Sequence, residues 1–317
     1  MYYNADMKSY IFLKRFNSIP LEAAHIYEHL FIESFRKYAV HTLGIDDAVI
    51  GYIGGETFEN VLFIEAWFYE SSVSDLFEAY ILKNSYDNKL IDTAIKQCEA
   101  EGRFSLAVLD QKAFTSTFET LSSLPWIDGA TLPVTLYEKS ESAESDSLFQ
   151  IHKNAKHFKS ITISPYLVDA SVEDIALYRR LSVIVHDIVD SVIRAHGWYE
   201  PDSYPVKQAG TFTHTVTGVT LPVGDMSNHA IEDEIESRLH DFDIKKNFSL
   251  IKAHFNYFAA QPTWIGDMRN DLHRIDVMVG NEVVNELATE VNIARLLSRI
   301  QVRVENVPYS FAKNITY

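Results

Sequence analysis

The run from Pro20 to Gly44 constrains the fold more than any other part of the chain. Pro20 suits a helix start, and an acid, Glu22, follows at once. Ala24, Tyr27, Leu30, Phe31, Phe35 and Tyr38 recur at helical spacing, and Gly44 supplies a stop. The pattern predicts a helix over 21–43. An aromatic, β-favouring run, Ser9–Phe16, precedes it and reads as a strand. Two further strand-like runs follow it, Ala48–Gly54 and Val61–Tyr69, with Gly54–Asn60 read as their connection. A strand, a long helix and a strand pair in that order predict an α+β unit, a sheet with its helix on one side.

Helical spacing continues over Ser74–Lys83 and Asn88–Arg103; in the latter Leu90, Ile91, Ala94, Ile95 and Cys98 form the apolar side. Residues 105–136 are mixed. Lys139–Ser147 (KSESAESDS) is small, polar and acidic, and cannot bury enough surface to order itself. It divides the chain into a first domain over 1–138, a linker over 139–150 and a second domain over 151–317. The second half restarts with a strand, Ser160–Ser164, and a helix, Val172–His196. A Pro/Gly-broken segment and a strand-like run, Gly210–Thr220, come next. Helical stretches are then predicted over Asn228–Asp241, Asn247–Ala260, Met268–Val277 and Val283–Ile300. The order suggests a two-fold repetition of one α+β unit.

Residues 25–29 read His-Ile-Tyr-Glu-His. On a helix, His25 and His29 share one face a turn apart, and Glu28 projects beside them. Two imidazoles so placed can hold one cation, and catalytic zinc typically has three protein ligands and a water. A carboxylate beside that water can take its proton and pass it to a leaving amine. With 12 His and 44 acids in 317 residues, roughly 0.06 chance occurrences of such a motif are expected. A third ligand is still needed. The helix after the strand pair carries Asp92 and Glu99, seven residues apart and so on one face.

These stretches resemble the pitrilysin-type (M16, inverzincin) zinc metallopeptidases. Ala24–Phe31 matches the family's motif helix, Leu43–Phe68 its strand pair, and Leu90–Glu101 its acidic helix. The resemblance implies a fold of two M16-like domains, each an antiparallel or mixed sheet with helices packed on one side. It implies that His25, His29 and Glu99 bind Zn²⁺, that Glu28 is the general base and that Asp92 takes the outer acidic position. Glu101 competes with Glu99. It also implies that the first strand of the pair takes substrate backbone by β-addition. An Arg-then-Tyr pair after the long helix of the second domain, here Arg194 and Tyr199 with Tyr204 competing, would grip that backbone. Both halves are shorter than the family's usual domains, which suggests a compact member pairing with itself or with a related subunit.

The expected function is therefore a zinc-dependent endopeptidase acting on peptides or small unfolded polypeptides. The alternative is a non-catalytic partner or peptide-binding subunit of the same fold. Lys+Arg 28 against Asp+Glu 44 gives a net charge of −16, which disfavours nucleic acid and favours basic substrates. One cysteine, Cys98, excludes an internal disulfide. No signal-peptide pattern or membrane-spanning run is evident, so a cytoplasmic location is expected.

Overall fold

The computed structural model describes residues 9–58, 60–101, 111–129, 157–165, 171–197, 199–208, 211–221, 226–260 and 279–306. The linker expected over 139–150 and the helix expected over 268–277 lie outside them. Nothing among the described residues is a helix long and apolar enough to cross a membrane.

The first sheet has the order β2-β3-β1-β4, built from β1 (Ser9–Arg15), β2 (Tyr52–Phe58), β3 (Val61–Trp67) and β4 (Ile127–Asp128). Every pairing is antiparallel. Between β1 and β2 runs α1 (Leu21–Leu43), bounded as its spacing predicts, with Gly44 in the left-handed conformation at its C-cap. A 3-10 turn, Asp47–Val49, leads into β2. After β3 come α2 (Ser71–Lys83), a second 3-10 turn (Asn88–Leu90), α3 (Ile91–Glu101) and α4 (Gln111–Ser123).

One face of this sheet meets α1. Leu62, Ile64 and Ala66 of β3 point there and are fully buried. Their partners on β2, Thr57, Gly55 and Ile53, share that face by register. On α1, Tyr27, Leu30, Phe31 and Phe35 are inaccessible to solvent. Each such burial stabilises the fold by roughly 1.5–3 kcal/mol. Burial encircles the first turns of α1 and takes in His25 and Glu28 too. The first half of the helix is therefore wrapped by sheet and by other helices, which places His25 and Glu28 inside the protein.

The second sheet has the order β6-β7-β5-β8: β5 (His157–Pro165), β6 (Tyr199–Gln208), β7 (Thr211–Leu221) and β8 (Ile300–Asn306). The helix following β5 is α5 (Val172–Ala195); α6 (Asn228–His240), α7 (Ile244–Ala260), α8 (Asn281–Leu287) and α9 (Glu290–Leu297) lie between β7 and β8. Strand, long helix, hairpin, helices and closing strand thus occur in the same order as in the first half.

Three sequence expectations are corrected. Residues 54–58 are strand and not connection, because β2 pairs with β3 as far as Phe58↔Val61. Tyr199–Gln208, read as a broken segment, is β6. The single helix expected over 283–300 is two helices and the start of β8. Thr289 interrupts it by capping Asn292 N with its side chain, and Ile300, Val302 and Val304 then alternate inward as a strand.

The halves meet at a seam of charged groups. Arg36 of α1 and Arg194 of α5 both bind Asp47 in the first 3-10 turn, Arg36 Nε at 2.9 Å from Oδ1. Asp46 receives Arg238 of α6 at 2.5 Å, and its backbone N–H donates to Asn247 Oδ1 of α7 at 2.8 Å. Burial raises the Asp47 carboxyl, but Arg194 and Arg36 outweigh it and hold the pKa down at about 2.

Candidate metal centre

His25, Glu28 and His29 lie in the second and third turns of α1, and α3 crosses them. The buried stripe of α3 is Ala94, Gln97, Cys98 and Glu101, at helical positions i, i+3, i+4 and i+7. Three of those four are polar, and they face the histidines. Glu101 Oε2 contacts His25 Nε2 and lies 3.8 Å from His29 Nε2. Both imidazoles therefore turn the same nitrogen towards one carboxylate oxygen. The other nitrogens have their own partners: His29 Nδ1 is 3.1 Å from Gln97 Oε1, and His25 Nδ1 is 3.6 Å from Glu28 Oε2. Among the described residues, the ligating atoms of His25, His29 and Cys98 lie within 4.8 Å of one another.

Asp92 and Glu99 are not brought to the pair. Both lie on the exposed side of α3, and Glu101 stands where Glu99 was expected. The reason is helical phase: Glu101 is three residues beyond Cys98, on the apolar side already visible in the sequence, whereas Glu99 is only one beyond it. Gln97 and Cys98 are the site residues that the sequence reading missed. Extending the stripe Ala94–Cys98 by one turn would have found Glu101.

Glu28 is set from the other side by β2. Thr57 Oγ1 donates to Glu28 Oε2 at 2.5 Å. A Cβ on Gly55 would fall 2.6–2.8 Å from Glu28 Cγ, Cδ and Oε1, so only glycine leaves this carboxylate its place. Both groups are on β2, which is an edge strand of its sheet among the described residues.

The electrostatics suit a cation. Burial opposes charge on His25, but Cys98, Glu101 and Glu28 outweigh it and hold the imidazole well above its ordinary range. His29 is raised likewise against burial, by Cys98 and Glu101. Burial raises Glu101 and Cys98, and the two imidazoles bring both down below their usual values. Two imidazoles, His25 buried and His29 partly so, with proton affinity raised beside anionic donors are groups from which a divalent ion can displace protons. Imidazole, carboxylate and thiolate together form a donor set suited to Zn²⁺ rather than to Mg²⁺ or Ca²⁺. The residues therefore fit the metal that the motif implies.

Support for the site reaches across the seam. Gln97 Nε2 donates to Glu33 Oε1 (3.0 Å) and to the carbonyl of Arg194 (3.3 Å). Arg194, expected to hold substrate, is engaged otherwise: its guanidinium binds Asp47, Asp190 (2.6 Å) and Glu33 (3.4 Å). Three carboxylates occupy its donors. Tyr199 begins β6 opposite Thr220, and Tyr204 pairs with Val216; their side chains are outside the described residues.

No family model matches the chain, and no curated protein matches it. Similar solved structures include an M16-like peptidase of Alicyclobacillus acidocaldarius (9% identity, 94% of this chain and 92% of that one, TM-score 0.30). A protease of Helicobacter pylori is similar at 9% identity, over 95% of this chain and 94% of that one, with a TM-score of 0.28. The periplasmic protease PqqL of Escherichia coli is similar at 9% identity over 98% of this chain but 46% of its own, with a TM-score of 0.27. Likeness at these scores carries no argument about activity.

Proposed function

We propose that this chain is a zinc-dependent endopeptidase that acts on peptides or small unfolded polypeptides. The observation that carries the reading is the convergence of His25 Nε2 and His29 Nε2 on Glu101, with Glu28 held next to them by an edge strand. His25, His29 and Glu101 would hold the zinc. Zinc bound there would supply a Lewis acid that brings the pKa of a water to about 7. Glu28 would take that water's proton and return it to the leaving amine. Thr57 and Gly55 keep its carboxylate in one position for both transfers. Gln97 fixes His29 by its Nδ1 and so directs Nε2 inward.

The substrate would add as a strand along β2, an edge strand among the described residues that holds Glu28 through Thr57. β2 keeps unbroken register with β3 over its whole length, as a docking edge requires. A net charge of −16 favours basic peptides. Pairing with a second copy or a related subunit belongs to the same proposal, as does a two-domain division of the chain.

The test is zinc content and peptide-library cleavage, measured on protein prepared without a metal-affinity tag. One zinc per chain, with cleavage lost by about 10²–10⁴-fold in Glu28→Gln at unchanged zinc content, is the expected result. Zinc bound without cleavage by the wild-type chain would favour the non-catalytic partner subunit. A folded protein that takes up no zinc would remove the reading.

A further inference from the structure

Cys98 is the only cysteine in the chain, and it is fully buried. Buried cysteines ordinarily behave as small apolar side chains. This one lies between Gln97 and Glu101 on the polar stripe of α3, and its sulfur clusters with the ligating nitrogens of His25 and His29 within 4.8 Å. Glu101 reaches the same imidazoles from one turn further along the helix. Two helices thus deliver four potential ligands to one place: a pair at i and i+4 on α1, and a pair at i and i+3 on α3.

Resting on the zinc reading above, we propose that Cys98 Sγ is itself a ligand, so that the resting centre is a closed set of His25, His29, Cys98 and Glu101. Zinc–nitrogen bonds of about 2.0–2.1 Å and zinc–thiolate bonds of about 2.3 Å place tetrahedral donors about 3.5 Å apart. His25, His29 and Cys98 already lie within 4.8 Å of one another, Glu101 contacts the same imidazoles, and both pairs sit on helices. The sulfur also explains the composition of the stripe. As a fourth ligand it completes a four-coordinate zinc set. The water that hydrolysis needs would then enter as a fifth ligand, a coordination number that zinc reaches in catalytic sites. The centre favours soft-accepting ions such as Zn²⁺ and Co²⁺ over Mg²⁺ and Ca²⁺.

A single cysteine makes the test unambiguous. Zinc-edge X-ray absorption on the wild-type zinc protein should show one sulfur neighbour at about 2.3 Å among nitrogen and oxygen neighbours at about 2.0–2.1 Å. The cobalt-loaded wild type should show a strong near-ultraviolet thiolate-to-cobalt charge-transfer band. Cys98→Ser should still bind one cobalt, without that band, and should bind zinc at least about 100-fold more weakly, beyond the usual cost of losing an outer-shell partner. One zinc per chain with nitrogen and oxygen neighbours only, and no charge-transfer band, would overturn sulfur ligation while leaving the His–His–Glu site intact. No metal uptake by folded wild-type protein would overturn both. Should Cys98→Ser fail to fold, the absorption spectrum of the wild type decides alone.

Discussion

The two halves share a strand order, yet their long helices carry different chemistry. α1 and α5 each follow the first strand of their sheet and precede its hairpin. Counted from the first residue of each helix, the positions of His25, Glu28 and His29 in α1 are Ala176, Arg179 and Arg180 in α5. Arg180 is buried and donates to the carbonyl of Phe255 at 3.3 Å, a packing role. The edge strands differ too. β2 runs in register without interruption. β6 carries Pro201 and Pro205 and two register shifts against β7, features that blunt an edge against further pairing. Among the described residues, one topology thus supplies a long helix and an edge strand twice. Only the first half, among the described residues, brings a pair of imidazoles, a neighbouring acid and an edge strand in unbroken register together.

The largest effect should come from making α1 resemble α5. His25→Ala with His29→Arg writes the α5 pattern into α1, and bound zinc should fall from near one per chain to none. Elemental mass spectrometry reads this directly, and circular dichroism confirms that the helix persists. Zinc retained by the double variant would mean that α1 is no more a metal helix than α5.

Gly55 sharpens the comparison on the sheet side. In Gly55→Ala the new methyl group cannot coexist with the Glu28 carboxylate where it now lies. Displacement of a reacting group by about 1 Å can cost on the order of 100-fold in rate. Cleavage by Gly55→Ala should fall at least that far while zinc content stays constant, and overpacking should cost roughly 1–3 kcal/mol of stability. Full activity would show that Glu28 is not held by this strand.

The seam supplies the next effect. Asp47 is bound by one arginine from each half, Arg36 and Arg194. Its folded pKa of about 2 lies below the ordinary value of 3.8. The unfolded chain therefore takes up a proton first as pH falls. The stabilisation is complete above about pH 4, diminishes as pH falls towards 2 and amounts to about 2 kcal/mol. Asp47→Asn should lose roughly that amount near pH 7 in urea titrations and should flatten the acid limb between pH 4 and 2. An unchanged acid limb would show that the arginine pair does not hold the halves together through this residue.

Much of the first half was legible because its signals are local. Gly44 needs a left-handed cap and α1 needs one apolar stripe, so both ends of that helix are written in its own residues. The failures have non-local causes. Gly54 and Gly55 look like a turn until Glu28, far away in sequence, is seen to need the room. β6 is hidden by two prolines that a sheet tolerates only at its edge. β8 is missing from the sequence reading, which carries its last helix to Ile300 and stops there, although Ile300, Val302 and Val304 alternate cleanly. At the site, the motif on α1 was plain. The choice between Glu99 and Glu101 depended on which side of α3 meets α1, and pairing Glu99 with Asp92 picked the exposed side.

The smallest effect concerns how the two long helices begin. α5 starts from Ser171, whose side chain accepts a hydrogen bond from Asp174 N at 3.1 Å. α1 starts from Pro20, with no side-chain cap, so its first N–H groups lack that partner. The burial that encircles the first turns of α1 outweighs the missing cap, and this helix is held by tertiary packing more than by its own terminus. Ser171→Ala should therefore cost about 1 kcal/mol, seen as a lower urea midpoint with an unchanged slope. Pro20→Ser should give back only a few tenths of that, since proline already fixes the entry dihedral. If Pro20→Ser instead stabilised the protein as much as Ser171→Ala weakened it, the start of α1 would be limited by its cap after all. The contrast between a packed helix and a capped one would then fail.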